Sequence, residues 1–169
     1  GAHFNPAVSL AMLISRRMTG MATLAYITVQ IAGCCAGAVL ANLMFSLPAI
    51  TFSMHERAGF AQLLSEFVAT FGLLLVVLGH RRKGDAPWMV AAWIGAAYWF
   101  TASTSFANPA ITIARSLSDT FAGIRPADVM PFIGAQVAGA MAAMMVARAV
   151  FSEGKRESVY SGAPAEKNI

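Results

Sequence analysis

A chain of 169 residues that is 57% hydrophobic and only 12% charged carries about half the charge of a soluble domain. Lipid is therefore the expected solvent for much of it. The formal net charge of +4 is no footprint for nucleic acid, because the basic residues cluster at the ends of apolar segments.

Asn5-Pro6-Ala7 is the first element signal. Asn is a preferred N-cap, and Pro suits the next position because its missing N–H would be unpaired there anyway. The pattern predicts a helix over 6–16. About ten residues reach ~15 Å, half of a ~30 Å bilayer core. A span is expected over 23–46, holding Cys34 and Cys35 as packing residues and a small-residue stripe at Gly33, Gly37 and Ala41. Leu47-Pro48 breaks the chain.

Spans over 59–79 and 87–104 follow. Glu66 is the only carboxylate deep in a span, and it has two readings, proton relay or hydrogen-bonded brace. Asn108-Pro109-Ala110 then repeats the start signal and predicts a second short helix over 109–116. Arg125-Pro126 breaks the chain before a last span over 130–151, which carries the small pair Gly139 and Ala143 and methionines that pack toward lipid or a neighbouring subunit. Residues 152–169 read as a charged, disordered tail, leaving 1–151 as one membrane domain.

Basic residues sort by side. Arg16, Arg17, Arg81, Arg82, Lys83, Arg148, Lys155, Arg156 and Lys167 fall at one set of ends, against Arg57, Arg115 and Arg125 at the other. Nine against three places 80–86 and the tail in the cytoplasm, and 46–58 and 116–128 outside. The expected location is a plasma or inner membrane.

The chain also repeats itself. Tyr26-Ile-Thr-Val-Gln30-Ile-Ala-Gly33 matches Phe132-Ile-Gly-Ala-Gln136-Val-Ala-Gly139. Gln30 lies 25 residues after Asn5, and Gln136 lies 28 after Asn108. Two spans precede the second triplet and none the first, so two further spans are expected before Gly1. Three spans per half make the second copy inverted. The fold class is an all-α membrane protein, an inverted repeat of tilted helices with two re-entrant half-helices.

Two inverted half-helices meeting tip to tip make one full crossing. Their non-helical approaches then sit at membrane depth, which is tolerated where backbone lines a watery cavity. The carbonyls of Gly1, Ala2, His3 and Phe4, and of Ser105, Phe106 and Ala107, would supply acceptors. The amides of Asn5 and Asn108 would supply donors, and the facing helix N-termini would repel cations. Such a pore passes neutral polar molecules and resists protons and cations.

On these residues the chain resembles the aquaporin, or major intrinsic protein, family. Gly1-Ala2-His3-Phe4-Asn5-Pro6-Ala7-Val8-Ser9 resembles its first pore loop and Ser105-Phe106-Ala107-Asn108-Pro109-Ala110 its second. The Gln-x-x-Gly elements and Glu66 fit too. The resemblance implies six tilted helices around a pore, a homotetramer, and Glu66 as a brace for a pore loop. It also implies a four-residue filter that usually includes an Arg directly after the second triplet. That position is Ile111 here; Ala96 and Ser105 are two partners, and the fourth lies outside the chain. Without that Arg the filter is wider and less polar. Glycerol, urea or arsenite-type hydroxides become the expected solutes, and the region around Ile111 is similar to a bacterial subgroup linked to arsenite permeation. A strictly water-selective channel is the narrower alternative.

Arg115 stands one turn beyond Ile111. It either projects into the outer vestibule or pairs with Asp119 at the helix end. His3 either gates the inner mouth or braces its loop. His55 and His80 read as solvated, and three scattered histidines have no metal-ligand spacing. No cofactor is implied, and neither a nucleophile–base pair nor a metal cluster marks an intramembrane enzyme. A secondary transporter needs coupling groups at the midplane, where Glu66 stands alone. The expected partners are membrane lipid, small neutral solutes and further copies of the chain.

Overall fold

The computed structural model describes residues 3–79 and 86–160, with side chains described as far as 151. Six helices run in chain order: α1 (Pro6–Ile14), α2 (Gly20–Met44), α3 (Phe60–Gly79), α4 (Ala86–Phe100), α5 (Pro109–Arg115) and α6 (Pro126–Tyr160). No strand occurs among the described residues.

The two short helices start where their triplets dictate. Asn5 and Asn108 take extended backbone (φ −144° and −157°) and cap the following turn through their side-chain oxygens. α1 closes at Ser15, where Arg16 enters the left-handed region at φ 55°, so this helix is shorter than the sequence predicts.

Among the described residues three helices are long and apolar enough to cross a bilayer: Gly20–Met44, Phe60–Gly79 and 126–151 of α6. α4, also expected to span, has 15 residues and ends at Phe100, where the chain turns into the second triplet's approach. Pro126 does not break the chain before the last span. It occupies the first turn of α6, where a proline is compatible with helix, so the helix starts four residues early. α6 also continues as backbone helix to Tyr160, past the expected boundary at 151; residues 161–169 lie outside the described residues.

Burial is arranged for lipid. On α2 the buried residues are Thr23, Gln30 and Asn42, all polar, while Leu24, Val29, Leu40 and Met44 are exposed. In lipid the apolar side chains need no cover, whereas polar groups must find partners inside. The apolar core instead gathers Ala7, Ala11, Ala69, Leu73, Leu74, Ala140 and Ala143 between α1, α3 and α6.

Small residues set the closest approach. A Cβ at Gly139 would run into the backbone carbonyl of Phe67, so α3 and α6 approach backbone to backbone there. Gly72 similarly leaves room for the Trp93 indole, whose Nε1–H donates to the Ala69 carbonyl at 2.9 Å. The α2 stripe behaves differently. Gly33 and Gly37 are exposed, and a Cβ on either would meet nothing within 4 Å, so no described helix uses that stripe for packing. Cys34 and Cys35 are half-buried free thiols.

Candidate functional site: the junction of two half-helices

The tips of α1 and α5 face each other. Asn5 Oδ1 accepts from the Ala7 N–H at 2.9 Å, and Asn108 Oδ1 accepts from the Ala110 N–H at 3.0 Å. With each oxygen held by its own helix, each amide nitrogen is aimed across the junction. Asn5 Nδ2 donates to the Ala107 carbonyl at 2.6 Å, and Asn108 Nδ2 donates to the Phe4 carbonyl at 2.9 Å. The exchange is reciprocal, as an inverted repeat requires. One N–H of each amide is used in it and the second is left over. Pro6, Ala7, Pro109 and Ala110 are buried behind the two asparagines.

The approach to α5 is bent and braced. Thr104, Ser105 and Ala107 all have positive φ (59°, 49° and 46°), a conformation that costs a non-glycine residue about 1 kcal/mol or more. Glu66 on α3 holds it. The fully buried carboxylate accepts from the Ser103 hydroxyl (2.6 Å), the Phe106 N–H (2.8 Å), the Ala107 N–H (2.9 Å) and Gln136 Nε2 (2.6 Å). Four donors satisfy a buried anion. The other carboxylates among the described residues, Glu56, Asp119 and Asp128, are engaged in the outer connections.

The repeated glutamines do one job twice. Gln136 Nε2 donates to Thr112 Oγ1 at 2.9 Å, and Gln30 Nε2 donates to Ser9 Oγ at 3.1 Å. Ser9 and Thr112 each stand four residues after their triplet asparagine. Gln30 also donates to the His3 carbonyl at 2.8 Å, so the His3 backbone carries a loop bond while its ring lies 5.5 Å from that of Tyr26. His3 lines a cavity of about 820 Å³ with Arg16, Arg17 and Tyr26 at the far end of α1. Gly1 and Ala2 lie outside the described residues, as does His80; His55 is exposed.

Of the expected filter residues, Ser105 is buried, Ile111 is half-buried and Ala96 lies on an exposed face of α4. Ile111 and Arg115 line a cavity of about 750 Å³ with α2. Arg115 does not pair with Asp119, which accepts instead from the Met54 N–H at 2.9 Å. The Arg115 guanidinium lies over the Phe106 ring, 4.2 Å from its centroid.

Arg57 was legible only as one of three basic residues on the outer side. It is buried, and its side chain donates to the carbonyls of Gly123 (2.7 Å), Ser103 (2.8 Å) and Phe121 (3.0 Å). Its Cζ stands 4.7 Å from the same Phe106 ring. Burial, then the charge of Arg115, pull its pKa down, and the Glu66 charge pulls the other way. An arginine so placed keeps its proton. Around it the outer connections are stitched together: Thr51 and Ser53 N–H groups donate to the Leu117 and Ser116 carbonyls, and Asn42 Nδ2 donates to those of Ala49 and Leu117.

The major intrinsic protein family model matches residues 1–102. The chain is 52% identical over 150 residues to an aquaglyceroporin, AqpS, of Rhizobium meliloti, covering 88% of this chain and 64% of that protein. It is 31% identical to aquaporin NIP1-1 of Oryza sativa subsp. japonica, covering 84% of this chain and 52% of that one. It is 26% identical to glycerol uptake facilitator protein-like 6 of Lactiplantibacillus plantarum, covering 90% and 76%. The chain thus spans about half to two-thirds of the length of the first two relatives. With its two asparagine-capped half-helices joined at their tips and its three membrane-length apolar helices, this integral membrane chain belongs to the major intrinsic protein family.

Proposed function

We propose that the chain forms part of a homotetrameric channel for passive permeation of small neutral solutes. Glycerol, urea and arsenite-type hydroxides are the solutes in scope, together with water. The observation that carries this reading is the reciprocal pair Asn5 to Ala107 and Asn108 to Phe4. It leaves one amide N–H of each asparagine for a passing molecule, at the point where two helix N-termini converge. A neutral hydroxyl compound exchanges its lost water for these donors and for the loop carbonyls of Ser105 and Phe106; those of His3, Phe4 and Ala107 already accept from Gln30, Asn108 and Asn5. A cation meets two positive helix ends and gains nothing.

Solute breadth follows from Ile111. An aliphatic side chain at the outer constriction offers neither donors nor charge, so the barrier to a polyol falls. The names of two relatives, an aquaglyceroporin and a glycerol uptake facilitator-like protein, agree in pointing to glycerol. The test is stopped-flow light scattering on proteoliposomes of the full-length protein with water, glycerol, urea and arsenite. Glycerol flux should be fast and non-saturating, and should need no ion gradient. Ile111→Arg should cut glycerol flux at least about tenfold while water flux falls less, because a tenfold barrier change needs only about 1.4 kcal/mol. Saturable flux that demands an ion gradient would establish a transporter instead.

A further inference from the structure

We infer that Arg57 and Arg115 together form the cation barrier of the outer mouth, so that charge selection there is separated from the constriction at Ile111. This rests on the channel reading and adds to it where charge exclusion resides.

Two guanidinium groups from different elements share one ring. Arg57 comes from the connection between α2 and α3 and Arg115 from the end of α5, and their Cζ atoms lie 4.7 and 4.2 Å from the Phe106 centroid. Phe106 belongs to the bent approach to Asn108, two residues from the junction. Both charges therefore sit beside the bent segment that leads into it.

Neither charge is neutralised by an ion pair. Among the described residues the ion pairs are Arg125 with Glu56 and with Asp128. Arg57 spends its side-chain donors on three neutral carbonyls. Arg115 Nη1 is buried with no hydrogen-bond partner. The opposing charges nearby are Glu66, bound to the approach to Asn108 through the Phe106 and Ala107 N–H groups, and Asp128, which accepts from the Arg57 backbone N–H and is paired with Arg125. With Asp128 set against Arg125 and the exposed Glu56 screened by water, the two guanidinium groups face the single buried charge of Glu66 and leave a net positive field along the approach. Burial lengthens its reach, because the screening of bulk water is absent.

The arrangement divides two tasks. A filter arginine that lines the pore narrows it and charges it at once. Here Ile111 leaves the wall apolar, and Arg57 is buried behind the bent approach, where it acts through its field and takes no width from the pore. A neutral polyol then passes where a cation is repelled. Arg57 is in this sense a specificity-determining residue that does not touch the solute.

The test uses the full-length protein in liposomes, with glycerol flux and proton leak measured on the same preparation, the leak from an internal pH dye under an imposed gradient. In Arg57→Gln and in Arg115→Gln the ratio of proton leak to glycerol flux should rise about tenfold. That is the factor a unit charge sets at roughly 10 Å with an effective dielectric of about 20. Arg57→Lys keeps the charge and loses the planar fork, and should hold the wild-type ratio. An unchanged ratio in both glutamine variants overturns the inference, as does a lysine variant as leaky as Arg57→Gln. If Arg57→Gln does not assemble, Arg115→Gln decides alone, since no side-chain hydrogen bond is lost with it. A wild-type protein that passes no glycerol defeats the channel reading itself, a result distinct from all of these.

Discussion

At the scale of single residues, the site depends on side chains that hold strained backbone in place. Glu66 is the clearest, because its four donors come from a hydroxyl, two backbone N–H groups and a glutamine amide. Glu66→Gln is nearly isosteric, yet it removes the charge and replaces one acceptor oxygen with an N–H₂ group that faces other donors. Hydrogen bonds to a charged partner contribute roughly 1.5–3 kcal/mol each, and a buried unmatched donor costs about 1–3 kcal/mol more. The variant should therefore lose roughly 3 kcal/mol or more of stability, read as a clear fall in the thermal midpoint in detergent. Solute flux should fall with it, since Ser105 and Ala107 would leave their left-handed conformations. An unchanged midpoint and flux would show that the bent approach is held by other contacts. Part of this site could be read from the residues alone. The two triplets, the lone carboxylate and Ile111 each carry a chemical signal within a few positions. Arg57 does not, because its partners at 103, 121 and 123 are 46 to 66 residues away and are backbone carbonyls, which any sequence supplies.

At the scale of elements, apolar length made the spans visible, and their edges depended on neighbours. Pro126 reads as a breaker in isolation but suits the first turn of a helix, which shifted the start of α6. α4 stops at Phe100 because the bent approach to Asn108 begins soon after it, something hydropathy cannot register. The small-residue stripes were equally legible in both copies, and the structure separates them. Gly139 faces the Phe67 carbonyl, whereas Gly33 faces open space. Gly139→Ala must push α6 away from the α3 backbone, which cannot move as a side chain could. The overpacking should destabilise the full-length protein by roughly 1–3 kcal/mol. An unchanged midpoint in Gly139→Ala would remove the α3–α6 contact as the explanation for that glycine.

For the whole molecule the open question is which way the repeat lies in the membrane. The connection after α1 and the connection after α2 stand at opposite ends of α2, whose 25 residues reach about 37 Å, enough to cross the hydrocarbon core. Arg16 and Arg17 mark one end; Arg57, fixed by carbonyls, and Arg125, paired with Glu56 and Asp128, mark the other. Nine basic residues fall on the side of Arg16 and Arg17 and three on the other, and the excess marks the cytoplasm, so the end carrying Arg16 and Arg17 should be cytoplasmic. The proposed cation barrier at Arg57 and Arg115 then faces the outside. Cysteine labelling of the full-length protein in intact cells tests this, after Cys34 and Cys35 and any other native cysteines are replaced by Ala. Glu56→Cys, at an exposed position, should react with a membrane-impermeant maleimide added outside. Arg17→Cys, also exposed, should react only after permeabilisation. The opposite pattern would turn the molecule over and put the two arginines at the cytoplasmic mouth, where they would oppose cation exit in place of entry.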